Sequence, residues 1–169
     1  MQQHTSTDEF RFRSIGVIHS PHTDPERTPI QPIYAEGVRG RVEVFTEYSD
    51  GLQDLEGFSH IYLFYVLDRA SAPRLVLSPY LDRAERGVFS TRAPCRPNPL
   101  GFSLVRLLRC EGTMLHVQDL DVLNGTPLLD IKPFFRQLDS RQDARSGWFD
   151  DVDESTARAL GRRKDRRRP

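Results

Sequence analysis

Prolines at 94, 97 and 99 set the tightest local limit on this chain. Each fixes φ at about −65°, removes a backbone donor and pushes the residue before it out of the helical region. The backbone over residues 92–101 is therefore a stiff, extended loop. Residues 88–91 read as a strand-like lead-in, and the apolar pattern resumes at Phe102. Arg92, Arg96 and Asn98 stand on this loop at defined positions. Two guanidiniums and an amide on a rigid support suit a ligand with carboxylate, phosphate or base-edge groups. They equally suit a plain connector between two strands with surface arginines, and composition alone does not separate the two readings.

Around this loop the pattern is one of short strands. Residues 10–18 read as a first strand with a slip of phase at Ser14, and residues 20–32 form a long loop holding four prolines. Residues 41–45 resume a strand, and Asp50-Gly51 marks a tight turn. Residues 61–67 are seven apolar or aromatic residues in succession, which predicts a strand buried on both faces or a barrel stave. A short apolar piece lies at 75–77. Residues 102–110 and 114–122 flank Glu111-Gly112-Thr113 as a hairpin, and Asn124-Gly125-Thr126-Pro127 turns the chain into 128–135. Only 153–161 reads as helix, with an acidic start and a glycine stop. Roughly seven strands with Gly/Pro turns and no helix between them argue an all-β barrel or sandwich.

A chain of 169 residues, 37% hydrophobic and 28% charged, is long enough to bury one core without staples. No run approaches the length of a membrane span and the first residues lack the order of a signal peptide, so a cytoplasmic protein is expected. Cys95 and Cys110 suggest reduced thiols without metal. The formal net charge of zero hides a division of sign. Residues 162–168 carry six positive charges and one negative, leaving 18 basic against 23 acidic residues before them. Such a tail supplies sequence-blind, salt-sensitive attraction to nucleic acid, or it is simply disordered.

Other chemical signals are thin. Gly-x-Gly-x-x-Gly and P-loop cradles are absent. His19-x-x-His22 is half a metal site without a second ligand pair. His60 at the head of the apolar strand is a core histidine or a base that would need Ser59 or Ser103 as a hydrolase nucleophile. Alternation predicts Asp119 and Asp121 on one side of a strand, opposite Leu120. Paired carboxylates there suit a cation, a ribose hydroxyl or an amino group; a solvent-facing acidic edge is the plainer reading.

Four blocks taken together carry more. Ile15-Gly16-Val17-Ile18-His19-Ser20-Pro21, Leu55-Glu56-Gly57-Phe58-Ser59-His60-Ile61, residues 87–103, and Asp119-Leu120-Asp121 with Asn124-Gly125-Thr126-Pro127-Leu128-Leu129-Asp130-Ile131-Lys132-Pro133 occur in this order. They resemble the TsaA-like domain of the tRNA adenine N(6)-methyltransferases that act on threonylcarbamoyladenosine, over about residues 10–150. The resemblance implies a barrel domain at 10–150; the polar composition of 1–9 predicts a disordered segment before it, and 151–169 read as a short helix with a basic tail. The resemblance implies an all-β, small closed or partly open β-barrel, non-Rossmann, that binds S-adenosylmethionine. A homodimer acting on the tRNA anticodon loop is implied as well.

The family's cofactor contacts fall on Pro32, Ile33, Tyr34, Asp68, Arg69, Arg92, Phe102, Gln118, Asp119, Leu120 and Asp121. Arg92 then suits the cofactor's carboxylate, Asp119 or Asp121 its ammonium or hydroxyls, and Tyr34 and Phe102 its adenine face. Asn98 is a candidate to hold the target amine, Asp121 to take its proton, and Arg96, Lys132 and the tail to meet phosphates. The alternative is a non-catalytic module of the same barrel that binds a nucleotide or RNA.

Overall fold

The computed structural model describes residues 9–163. Among these, eight strands form: β1 (Gly16–His19), β2 (Arg39–Val44), β3 (His60–Val66), β4 (Val76–Leu77), β5 (Arg86–Gly87), β6 (Leu100–Glu111), β7 (Met114–Gln118) and β8 (Thr126–Pro133). Six of them close a barrel in the order β1-β2-β7-β6-β3-β8, every neighbouring pair antiparallel. β4 and β5 make a separate ribbon. Closure leaves the barrel with no free strand edge.

Period-two alternation builds the core. On β3, Ile61, Leu63 and Tyr65 point inward and are buried, while Tyr62 and Phe64 face outward half-covered by each other and by Phe102 and Phe134. The unbroken apolar run is thus a barrel stave whose outer side also carries aromatics. Ile18, Val42, Val105, Leu115, Val117, Leu120 and Leu128 complete the interior, none of them exposed. Gly101 on β6 is what lets Tyr65 lie flat inside, since a Cβ there would stand 2.2 Å from its ring.

Several boundaries move from the sequence expectation. The first strand starts at Gly16 rather than Phe10, because Phe10 and Phe12 have no partner strand and stay exposed. Residues 88–90 form a 3-10 turn instead of a strand, and Asp50-Gly51 lies within a 3-10 helix over Thr46–Leu52 rather than in a tight hairpin turn. β7 stops at Gln118, four residues before Val122, because Asp119 takes a left-handed conformation at φ 66°. A one-turn helix α1 (Arg136–Asp139) was not expected; α2 (Glu154–Gly161) was, and the Asp153 carboxylate caps it by accepting from Thr156 N. Of the segment 1–9 expected to be disordered, residues 1–8 lie outside the described residues, as does the tail beyond Arg163.

The antiparallel order has a direct spatial consequence. β1, β3 and β7 end, and β2, β6 and β8 begin, at the same mouth of the barrel. Loops that are far apart in sequence therefore gather there: 20–38, 67–75, 88–99 and 119–125.

Candidate active site at one mouth of the barrel

Each cofactor position expected from the sequence lies at this mouth. Pro32–Tyr34 is a 3-10 turn between β1 and β2; Asp68 and Arg69 follow β3; Arg92 and Phe102 lie before and at the start of β6; residues 118–121 follow β7. The inward alternation of β6 then brings the chemistry together. Ser103 is buried between Gly101 and Val105, a polar group at an inward position. Its hydroxyl donates to Asp121 Oδ1 at 2.5 Å and stands 2.9 Å from the Tyr65 hydroxyl. With the Ser103 proton committed to the carboxylate, the Tyr65 hydroxyl is the donor to Ser103 Oγ.

Electrostatics at the site follow from burial. Removal from water pushes the Asp121 carboxyl up to about 7, against the opposing pull of the Ser103 bond and the Arg92 charge. Burial also pushes the Tyr65 hydroxyl above its ordinary value, and the Asp121 charge adds to this. Arg92 is exposed, lies 4.9 Å over the Phe102 ring and donates to the Gln31 side chain next to Pro32. One guanidinium thus spans the proline loop, β6 and the 20–38 loop. Phe102 in turn stacks on Phe64, centroids 6.4 Å apart.

The rest of the rim is braced. Arg69 donates to the Asn124 carbonyl at 2.9 Å and to Thr126 Oγ1 at 3.1 Å, and pairs with Asp68 at 3.5 Å. Asp119 and Asp121 do not share one side, as alternation had suggested. The left-handed turn at Asp119 sends its carboxylate to the Gly37 N–H at 2.7 Å, Leu120 fills the core, and Asp121 alone reaches Ser103. Tyr34 offers no open ring face for adenine: it is 7% exposed, and a Cβ on Gly161 would stand 2.4 Å from it. α2 therefore props the Pro32–Tyr34 turn from behind, joined by the Ile30 N–H to Gly161 carbonyl bond at 3.0 Å. Ile33, by contrast, is 62% exposed.

On the proline loop Asn98 is exposed, whereas Arg96 folds back to donate to the Thr91 and Ala93 carbonyls at 3.1 and 3.2 Å and staples the loop. Lys132 pairs with Asp130 at 2.7 Å, and Arg162 approaches Glu36 at 3.5 Å. No triad forms around His60. Its Nδ1 meets Ser59 Oγ at 2.9 Å on the outer wall, while Ser103 faces inward and is held by Asp121. His19 and His22 go to different partners, Glu43 and the Leu120 carbonyl. Sequence reasoning missed Tyr65, Gln31 and Gly161, and took Ser103 only as a nucleophile. The available signal for Ser103 was its polar side chain at an inward position of an apolar strand.

Comparison with known proteins places this geometry. The family model described as the tRNA-methyltransferase O N-terminal domain matches residues 17–140. A probable S-adenosyl-L-methionine-binding protein of Pyrococcus abyssi is 50% identical over 139 residues, 82% of this chain and 76% of that protein. The tRNA (adenine(37)-N6)-methyltransferase of Escherichia coli is 34% identical over 149 residues, 82% of this chain and 63% of its own length. The crystal structure of TrmO from Pseudomonas aeruginosa superposes with a TM-score of 0.70 at 35% identity, covering 83% of this chain and 63% of that one. The chain thus spans about three quarters of the archaeal relative and less than two thirds of the bacterial ones. With a matching family model across most of the barrel and relatives of this identity, the chain belongs to the tRNA-methyltransferase O N-terminal domain family.

Proposed function

We propose that this protein is an S-adenosylmethionine-dependent methyltransferase acting on the exocyclic amine of threonylcarbamoyladenosine in a tRNA anticodon loop. The observation that carries this reading is the convergence of Arg92, Phe102, the Gln31–Tyr34 segment and Asp121 at one barrel mouth. A guanidinium, two carboxylates, an aromatic ring and exposed loop backbone fit a zwitterionic ligand that also bears a sugar and a purine. Bound there, the cofactor supplies an electrophilic methyl group. Arg92 binds its carboxylate, and Asp119, already fixed by the Gly37 N–H, accepts from its ammonium or hydroxyls. Phe102 holds Arg92 in place by its ring face.

The remaining groups act on the nucleotide. Asn98, exposed on the stiff proline loop, holds the target amine, so that positioning supplies much of the acceleration. Asp121, with a carboxyl lifted to about 7, takes the displaced proton at neutral pH. Leu100, Phe102 and Ile33 leave apolar surface exposed at the same mouth, where a second copy would pack to form the homodimer. A cytoplasmic location accords with this substrate; among the described residues no helix is long and apolar enough to cross a membrane.

Calorimetry with S-adenosylmethionine and its demethylated product, followed by mass spectrometry of tRNA nucleosides from cells with and without the gene, tests the reading. Binding of both ligands and loss of the methylated nucleoside in the deletion are expected. Unchanged nucleoside levels would remove the catalytic claim. Binding without methylation would favour the non-catalytic module, a reading to which the archaeal relatives, probable S-adenosyl-L-methionine-binding proteins, lend weight.

A further inference from the structure

The barrel wall on one side of this mouth has a charge pattern that the site itself does not use. Cross-strand register lines up outward side chains in rows. Arg106 on β6, Gln118 on β7 and Arg39 on β2 lie directly opposite one another. Two residues further from the mouth on β2 and β7, and three on β6 where the register shifts between Leu107 and Arg109, Arg109, His116, Arg41 and His19 form a second row across β6, β7, β2 and β1. With neighbouring strands about 4.8 Å apart, the longer row spans about 14 Å.

The acidic groups on this wall, Glu43 and Glu111, engage only part of it: Glu43 pairs with His19 at 2.8 Å, and Glu111 with Arg109 and His116 at 2.9 Å each. Arg39, Arg41 and Arg106 are exposed and make no ion pair among the described residues. Between the arginines the wall is hollowed. A depression of about 290 Å³ is lined by His19, Arg39, Arg41 and Asn124, and a second of about 140 Å³ by Arg39, Arg109 and His116. Asn124 is also the residue whose carbonyl Arg69 holds, so the first depression runs into the rim of the candidate site.

We infer that this wall, the outer face of β1, β2, β7 and β6, is the surface on which the RNA phosphate backbone lies while a nucleotide occupies the mouth. Phosphates meet the Arg39, Arg41 and Arg106 guanidiniums, releasing counterions, and the backbone continues over Asn124 toward the 118–121 segment. The inference rests on the methyltransferase reading for its substrate and adds where that substrate is held. None of the three arginines belongs to the cofactor or proton-transfer set, so the wall contributes affinity and orientation without touching the chemistry.

The test is fluorescence anisotropy with bulk unmodified tRNA over a salt series, comparing the wild type with the triple variant R39Q/R41Q/R106Q and with R39K/R41K/R106K. The glutamine variant is expected to bind about tenfold or more weakly at low salt, with the slope of log K against log salt smaller by about 3. The lysine variant keeps the slope, since a point charge suffices for phosphate. The double variant E43Q/E111Q binds more tightly than wild type. An unchanged slope in the glutamine variant would overturn the inference, as would a lysine variant that loses binding equally. Calorimetry with S-adenosylmethionine on the same proteins keeps the two readings apart. Retained cofactor binding with an unchanged salt slope sinks the wall alone. Absent cofactor binding in the wild type sinks the methyltransferase reading, while the salt slopes still decide the wall.

Discussion

Ser103 on β6 and Asp121 beyond β7 are 18 residues apart in sequence, yet the serine hydroxyl donates to the aspartate at 2.5 Å inside the barrel mouth. This bond favours the carboxylate, but burial opposes it and wins, leaving the carboxyl at about 7 against an ordinary value of 3.8. The consequence for stability has a definite sign. Between pH about 4 and about 7 the folded chain binds a proton at Asp121 that the unfolded chain has lost, so stability falls as pH rises through that window. Asp121→Asn keeps an oxygen to accept from Ser103 and carries no charge. Its Tm is expected to gain on the wild type from pH 4 to 7 and to run parallel above about 8, as read by thermal melts across pH. A gap that does not change with pH would show that Asp121 is ionised throughout in the fold.

The same bond sets the pH range of activity. Ser103→Ala removes the only side-chain donor to Asp121 among the described residues, so the carboxyl rises further and the acid limb of the kcat profile moves up. A hydrogen bond to a charged group is worth about 1.5–3 kcal/mol, which corresponds to a shift of about one to two pH units. Tyr65→Phe deletes the donor behind Ser103 and shifts the profile in the same direction by less. The check is kcat against pH with KM for the cofactor measured in parallel. Equal losses at every pH would assign both residues a purely structural part.

How much of this was legible in the sequence depends on what fixed each residue. The 61–67 run, the Glu111-Gly112-Thr113 hairpin and the helix at 153–161 were readable because local pattern and turn chemistry decide them. The start at Phe10 misled because apolar alternation does not make a strand without a neighbour to bond to, and β1 has one only from Gly16. Asp119 misled for the opposite reason. A left-handed aspartate carries no glycine to announce it, and one such residue separates two carboxylates that strict alternation puts side by side. The meeting of Tyr65, Ser103 and Asp121 depends on barrel closure and on the missing Cβ of Gly101, which are tertiary facts. Residue types alone gave Arg92 a binding role; only the fold shows it bridging Gln31 and Phe102.

α2 gives the Pro32–Tyr34 turn its backing, and Gly161 is where the two touch. By helix propensity alone, Gly161→Ala should stabilise by about 1 kcal/mol. The geometry predicts the reverse, because the added methyl would stand 2.4 Å from the Tyr34 ring and overpacking of this kind costs about 1–3 kcal/mol. A lower Tm together with weaker S-adenosylmethionine binding by calorimetry is expected. A higher Tm with unchanged affinity would show that the turn is not held by this contact.

Arg92 is the residue on which the site depends most, and its variants separate charge from shape. Arg92→Ala removes the cation over Phe102, the bond to Gln31 and the positive charge that draws Asp121 toward ionisation. Loss of one charge-assisted contact to a carboxylate corresponds to about tenfold to hundredfold in cofactor Kd, with a concurrent upward move of the Asp121 carboxyl. Arg92→Lys restores the charge but not the planar fork or its stacking, so the Asp121 shift should recover while most of the affinity loss remains. Calorimetry reads the first quantity, and carbon NMR of the Asp121 carboxyl across pH reads the second. If Arg92→Ala binds S-adenosylmethionine as tightly as the wild type, the anion-binding role falls and the proline loop is a connector with a surface arginine.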